Sequence, residues 1–484
     1  MHNEQATCDH LAELLGQITT HLEKFQRFEH PDAVENIDSW TSALSGPVPE
    51  KGIGAEQVIA EMGEHVIPNG SQISKPGCTS YITSAATDMG SIATLAGIVA
   101  SPQRISVTAF NHLEGVALQW LAEMFGLPSN MQGVFSSGGS TANLIGLGAA
   151  RQSAFQQIGK DVAADGVQRV CRVYATEQSH HTIHRSVAVL GMGRNAMVNI
   201  PLDDNMRMSA DALRKQLLID KALDALPVAI VVNAGSTNTG AIDPLQEIGE
   251  IAREHNIWFH IDGAYGLPGT LDPQVEDLYK GLALADSITV DAHKWLGAPV
   301  GIGATFVRDD KALRNTFTQG EADYIEATIV DDADVENSMD SVGFPYHDLG
   351  VELSAPTRGA IVWALIREIG VDGMRARICR HNEMARQVAE QAKHHPNLEL
   401  ALEPTLSICC FRYVHEKADD LNGLNKQIHR QLMKHGVNIP STTMVGDKFV
   451  IRPCFLGART DWHHADDLVN EVIKIGDALI ADVR

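Results

Sequence analysis

Apolar side chains recur with a helical period at the start of the chain: Leu11, Leu14, Leu15, Ile18, Leu22 and Phe25 fall on one face. A looser stretch with Pro47, Pro49, Gly52 and Gly54 follows, and a second helical pattern runs from about Glu56 to His65. Residues 1–76 hold too few apolar positions to build a core of their own. They read as a helical arm that packs on the main body or on a partner subunit.

From about Gly133 the pattern changes to short β-prone runs: Val170–Ala175, Val228–Asn233, Ile257–Ile261, Ser287–Val290 and Ala304–Val307. Helical stretches such as Leu245–His255 lie between them. The runs are apolar without strict alternation, as strands covered on both faces should be, so residues 77–352 predict an α/β domain with a mostly parallel sheet. Beyond about Leu353 the character shifts again. Helical tracts at Thr357–Gly370 and Met374–Lys393 precede a strand at Leu406–Phe411, a helix from Asp419 to His435, a strand at Phe449–Arg452 and a last helix from Asp461. Gly436 stands where a left-handed helix cap belongs. Residues 353–484 therefore predict a small α+β domain.

Composition narrows the partners. The chain has 484 residues, 44% hydrophobic and 20% charged, enough for a large core. Its 61 acidic against 38 basic residues give a formal charge of -23, which offers no basic footprint to nucleic acid or to an anionic membrane. Seven cysteines, none in a C-x-x-C pair, indicate neither a disulfide framework nor a zinc knuckle. No apolar run approaches the ~20 residues that span a bilayer, and the opening Met1–Gln5 lacks a signal pattern. The expectation is a cytoplasmic protein with reduced thiols.

Four features could carry chemistry, each at a predicted strand end. Ser136-Ser137-Gly138-Gly139-Ser140-Thr141 precedes a helix expected near Ala142-Asn143-Leu144; small residues before a helix N-terminus suit an anion, or make an ordinary capped turn. Asp262 directly follows a hydrophobic strand, where a buried carboxylate needs a cation or a protonated nitrogen; a cap or surface turn is the plainer reading. Lys294, in Asp291-Ala292-His293-Lys294-Trp295, sits in the kind of enclosure that depresses a lysine pKa and permits a Schiff base, though most lysines are solvated charges. Gln178-Ser179-His180-His181-Thr182-Ile183-His184 holds three histidines, yet no carboxylate or cysteine stands at a metal-site spacing. A ring-stacking imidazole is preferred to a metal ligand, with capping and core roles for His181 and His184. An anion cradle, a buried aspartate, a Schiff-base lysine and a stacking imidazole converge on pyridoxal phosphate.

From roughly Lys75 to near the C-terminus the chain resembles the group II pyridoxal-phosphate-dependent amino-acid decarboxylases, the family of aromatic-L-amino-acid, histidine and glutamate decarboxylases. The Asp291–Trp295 motif is the most specific part. The resemblance implies the fold type I architecture of pyridoxal-phosphate enzymes and a homodimer with active sites at the subunit interface. It implies that Lys294 holds the cofactor with His293 beside it, and that Gly138, Gly139 and Ser140 take the phosphate. His180 would stack on the ring, Thr237 would lie at the cofactor site, Asp262 would keep the ring nitrogen protonated, and Ala264 would pack under the ring. Arg358 and Trp363 would be structural, beginning the helix after the catalytic loop. Tyr324, in the acid-rich segment Gln319–Asp340, matches a tyrosine that closes over the neighbouring subunit's site and helps protonate the carbanion left when carbon dioxide departs.

Two departures bear on that transfer. Asp291 stands where many relatives have asparagine, which puts a direct phosphate contact there in doubt. In Lys75–Tyr81 only Tyr81 remains of the aromatics that line aromatic-substrate sites, so a smaller or more polar substrate is expected, with Tyr81 and Arg104 as candidate substrate contacts. The expected reaction is decarboxylation of an L-amino acid to its amine. Oxidative decarboxylation–deamination to an aldehyde, carbon–carbon lyase chemistry and a catalytically silent binding scaffold are the rival readings.

Overall fold

The computed structural model describes residues 6–104, 107–317 and 343–482. These divide into two compact units, one ending at Cys78 and the other beginning at Thr79.

In the first unit the opening helical period becomes a helix over Ala6–Phe25, followed by shorter helices at Ile37–Leu44 and Ala55–Glu61. No apolar side chain described in this unit is fully buried. Leu11, Leu22, Val34, Ile37, Leu44, Val48, Ile53 and Val58 are exposed.

The second unit is built on a seven-stranded sheet: β1 Gln132–Ser136, β2 Cys171–Ala175, β3 Met197–Asn199, β4 Leu226–Asn233, β5 Trp258–Asp262, β6 Ser287–Asp291 and β7 Gly303–Val307. The order across it is β1-β7-β6-β5-β4-β2-β3. Only β7 runs against its neighbours, pairing antiparallel with both β1 and β6. The carboxyl ends of the other strands therefore share one edge, where ligands of open α/β sheets bind. The five strands expected from the sequence are present; β1 and the three-residue β3 carry too little apolar signal to have been singled out. Apolar side chains form one core on each face, with Phe259, Ile261 and Val232 on one side and Trp258, Val231 and Ala229 on the other. The second face is covered by the Gly139–Gln157 helix, which is apolar nearly all round because it is sandwiched rather than solvated.

The C-terminal part adds a sheet whose strands β8 Leu398–Leu402, β9 Cys410–Tyr413, β10 Ile439–Val445 and β11 Lys448–Arg452 run in the order β10-β11-β9-β8. The strand expected at Leu406–Phe411 lies a few residues later: Ile408 makes only an isolated bridge to Cys454. The two helical tracts expected after Thr357 form one element, Gly359–His394, broken at Gly370 with φ 65° and ψ 179°. Gly436 closes the Leu421–His435 helix in the left-handed conformation, as its position suggested. No helix among the described residues is long and apolar enough to cross a membrane.

A buried carboxylate fixes where the long helix starts. Glu114, on the Ala109–Met124 helix, is fully buried, and its Oε1 accepts from the backbone amides of Arg358 at 2.6 Å and Gly359 at 3.1 Å. Arg358 itself makes a two-pronged pair with Glu352, both contacts at 2.9 Å, and donates to Gly301 O at 3.0 Å. Burial raises the Glu114 pKa against the lowering effect of these amides. Replacing Glu114 by alanine strands two buried amides and is expected to cost about 2 kcal/mol. Thermal unfolding should show a lower midpoint for Glu114→Ala and most of it recovered in Glu114→Gln, which keeps an acceptor oxygen.

Candidate active site

A cavity of about 240 Å³ opens at the carboxyl edge of the large sheet. Its wall is assembled from the segments that leave β1, β2, β4, β5 and β6, and includes Gly138, Gly139, Ser140, His180, Thr237, Asp262, Ala264, His293 and Lys294. Nine of the twelve residues singled out from the sequence thus meet in one place.

Lys294 follows β6 by three residues. Its Nζ stands 3.2 Å from Asp291 Oδ2, and the side chain is largely enclosed. Asp291 Oδ1 is buried without a hydrogen-bond partner among the described residues. His293 is turned by its own strand connection: Nδ1 lies 3.0 Å from the carbonyl of Ile302, so Nδ1 must carry the proton and donate, leaving Nε2 on the other side of the ring.

The loop after β1 bends sharply at Gly138, whose φ of 120° and ψ of 179° belong to a region that only glycine enters without strain. The helix begins at Gly139, three residues earlier than the sequence suggested, so Gly139 and Ser140 lie in its first turn with unpaired N–H groups toward the cavity. Gly138 supplies no side-chain cap, whereas Ser137 Oγ and Thr141 Oγ1 bond each other at 2.8 Å. A Cβ on Gly139 would stand 2.5 Å from Asp291 Oδ2, and one on Gly138 would stand 3.2 Å from His293 Cε1. The two glycines let the loop approach the lysine segment.

Asp262 ends β5 with 7% of its surface exposed. Oδ1 accepts from the Ala264 amide at 3.1 Å and Oδ2 from Asn143 Nδ2 at 3.0 Å. His180 caps the His181–Val189 helix with its own ring: Nδ1 lies 2.7 Å from Thr182 Oγ1 and accepts from the Thr182 amide at 3.4 Å. Burial pushes the His180 pKa down, with Lys294 and His181 adding to it and Asp262 opposing, so the imidazole is neutral near pH 7. Thr237 is held through its backbone, its carbonyl accepting from the guanidinium of Arg452.

Three sequence candidates stand apart. Arg104 is buried and does not line the cavity. Its guanidinium donates to the carbonyls of Phe135 at 3.2 Å and Glu352 at 2.9 Å, a structural tie rather than an exposed cation awaiting a substrate. Tyr81 is 67% exposed, with a positive φ of 60°, and is not part of the cavity wall either. Tyr324 lies outside the described residues. The structure also adds wall residues that sequence reasoning left out, among them Asn143, Asn233 and Tyr265. Asn143 had a signal available: it is a polar residue set in an otherwise apolar helix directly behind the loop.

Comparison with known proteins identifies the chemistry. Residues 42–414 match the model of the pyridoxal-dependent decarboxylase conserved domain. An aromatic-L-amino-acid decarboxylase of Bacillus atrophaeus is 29% identical over 452 residues, covering 91% of this chain and 89% of that protein. An L-2,4-diaminobutyrate decarboxylase of Rhizobium meliloti (strain 1021) is 30% identical over 437 residues, covering 88% and 82%. Among solved structures, the Oryza sativa protein TDC with PLP and tryptamine superposes with a TM-score of 0.87 at 21% identity, covering 99% of both chains. The fold is that of type I pyridoxal-phosphate enzymes. The chain belongs to the pyridoxal-dependent decarboxylase family, and it is a pyridoxal-phosphate-dependent carboxy-lyase acting on an amino acid.

The cavity fits that cofactor on its own terms. It offers amides at a helix N-terminus for a phosphate, a buried carboxylate for a ring nitrogen and an enclosed lysine amine for a carbonyl carbon. Gly138→Ala places a Cβ in a conformation that costs about 1–3 kcal/mol. The expected outcome is a folded protein that purifies with less than stoichiometric cofactor, read from its visible absorption against its protein absorption.

Proposed function

We propose that this cavity decarboxylates a small or polar L-amino acid, with Lys294 as the covalent anchor of pyridoxal phosphate, in a homodimer. The observation that carries the assignment is that Lys294 and the buried carboxylate of Asp262 face one cavity, a pairing for which a solvated lysine or a capping aspartate gives no reason. When bound, pyridoxal phosphate supplies the electron sink that accepts the pair left as carbon dioxide departs. The chain's own residues prepare that step. Gly138, Gly139 and Ser140 bind the phosphate through the loop and the helix N-terminus, which fixes the position of the ring. Asp262, which accepts from the Ala264 amide, Asn143 Nδ2 and Thr289 Oγ1, would face the ring nitrogen and hold a proton there. Neutral His180 presents a flat face to the ring, its orientation set by the helix it caps. Lys294 Nζ, with Asp291 beside it, and His293 Nε2 are the groups placed to carry protons at the reacting carbon. Tyr324 is the further proton donor suggested by the family resemblance.

Two features support the homodimer. Ile92, Leu95, Ile98 and Val99 on the Asp88–Ala100 helix are exposed, as are Val107 and Val300. Ile92, Leu95 and Val99 recur at helical spacing and so share one face, an apolar stripe of the kind that marks an interface. Val300 also belongs to the cavity wall, so a partner covering this surface would reach the site.

Lys294→Ala should abolish covalent cofactor attachment and lower turnover by at least about 100-fold, the lower end of what a positioned proton-transfer group contributes. The assay is carbon dioxide release from a panel of the twenty amino acids with ornithine, diaminobutyrate and cysteine sulfinate, with amine and aldehyde measured in parallel. Amine without aldehyde or peroxide sustains simple decarboxylation. Ile98→Asp places a charge in the exposed apolar surface; light scattering should show a monomer, with turnover reduced alongside. An unchanged mass and activity would sink the dimer proposal.

A further inference from the structure

Behind Asp262 runs a chain of buried polar groups. Trp258, His260 and Asp262 alternate along β5 and so face the same side, toward the Gly139–Gln157 helix. The parallel register sets Ser287 of β6 opposite His260 and Thr289 opposite Asp262. Asn143 projects from the helix between them. The contacts are Trp258 Nε1 to Ser287 Oγ at 2.8 Å, Ser287 Oγ to His260 Nδ1 at 2.7 Å, His260 Nε2 to Asn143 Oδ1 at 2.9 Å, and Asn143 Nδ2 to Asp262 Oδ2 at 3.0 Å. Thr289 Oγ1 adds longer bonds to Asn143 Oδ1 at 3.3 Å and Asp262 Oδ1 at 3.4 Å.

Donor and acceptor chemistry gives the chain one direction. An ionised Asp262 can only accept, so Asn143 must donate through Nδ2 and accept through Oδ1. His260 must then donate from Nε2 and accept at Nδ1, which requires the Ser287 hydroxyl to donate. Ser287 Oγ in turn accepts from the indole N–H of Trp258, a group that can only donate. Every proton points toward Asp262, and aligned hydrogen bonds of this kind polarise one another.

We propose that His260, through Asn143, is a positioning residue that orients and polarises the Asp262 carboxylate toward the cofactor's ring nitrogen, with Ser287 fixing its tautomer. The inference rests on the role given to Asp262 above. Space has been reserved for the ring: a Cβ on Gly146 would stand 2.8 Å from His260 Cε1 and 3.3 Å from Ser287 Oγ. A histidine that merely filled volume would be replaced at less cost by an apolar residue in this layer of Val173, Val231 and Ile145. Burial pushes the His260 pKa down to about 4, so the ring stays neutral, as a chain with an acceptor at Nδ1 demands.

The experiment compares holoenzyme variants His260→Phe, His260→Gln, Ser287→Ala and Asp262→Asn. The readouts are the cofactor's dissociation constant, the pH profile of its visible absorption band, and kcat and KM separately. His260→Phe removes the donor to Asn143 while keeping a flat aromatic ring. It should weaken cofactor binding and lower kcat by about 10- to 100-fold, the scale of one hydrogen bond serving a charged group, with KM nearly unchanged. His260→Gln restores an N–H donor and should recover most of the loss. Ser287→Ala, the smallest perturbation, should shift the absorption profile in the same direction and covers the case in which His260→Phe fails to fold. Lower thermal stability with unmoved spectra and affinity in the His260 and Ser287 variants overturns the relay. If those variants are silent while Asp262→Asn loses the cofactor, the relay alone falls. If Asp262→Asn is itself silent, the role of Asp262 falls and takes the relay with it.

Discussion

The site depends on keeping one carboxylate charged inside the protein. Asp262 is nearly buried, and an unpaired charge there would be neutralised rather than tolerated. The fold answers with donors from three elements: the Ala264 amide just beyond β5, the Asn143 amide group from the helix above the sheet and the Thr289 hydroxyl from the neighbouring strand. The Thr289 donor requires the sheet order and the register to be as they are. Slipping β6 by one residue against β5 would turn Thr289 and Ser287 to the opposite face and leave Asp262 and His260 facing apolar side chains.

The same geometry brings the lysine to the loop. Because β7 alone runs antiparallel, its first residue, Gly303, sits at the edge where the other strands end, opposite Asp291. A Cβ there would stand 2.5 Å from Asp291 Oδ1 and 2.7 Å from the backbone of Gly138. Gly139 and Gly303 thus set bare backbone against the Asp291 carboxylate, and its Oδ2 reaches Lys294. The asparagine-to-aspartate departure visible in the sequence places an anion between the loop and the lysine.

What the sequence made legible was chemistry attached to strand ends. The five strands with mostly apolar, β-prone runs could be placed because burial on both faces leaves no strict polar alternation, and the residues that follow them therefore stood out. Strand β1 was hidden because Gln132 and Gly133 dilute its pattern, and β10 because Pro440, Ser441, Thr442 and Thr443 read as a turn. Arg104 misled for a different reason. A cation near a substrate-facing segment looks available until tertiary carbonyls are known to occupy it. The relay behind Asp262 was invisible because Asn143 joins it to His260 and Asp262 across more than a hundred positions, and no local pattern pairs those residues.

The charges around the cavity bear on how carboxylate loss would be favoured. Among the described residues lining it, Lys294 is the one lysine and there is no arginine. Arg452 on β11, which bonds the backbone of the wall residue Thr237, gives its donors to the carbonyls of Asn238, Tyr81 and Thr237 and to Ser441 Oγ. A guanidinium fixed on a substrate carboxylate would bind the ground state more tightly than the transition state, in which that charge is leaving as neutral carbon dioxide and moving toward the ring. The described part of the wall, which holds no arginine, avoids that penalty. It concentrates compensation at the other end of the electron flow, on the ring nitrogen and Asp262, where charge changes during the reaction and where preorganised donors stabilise it most.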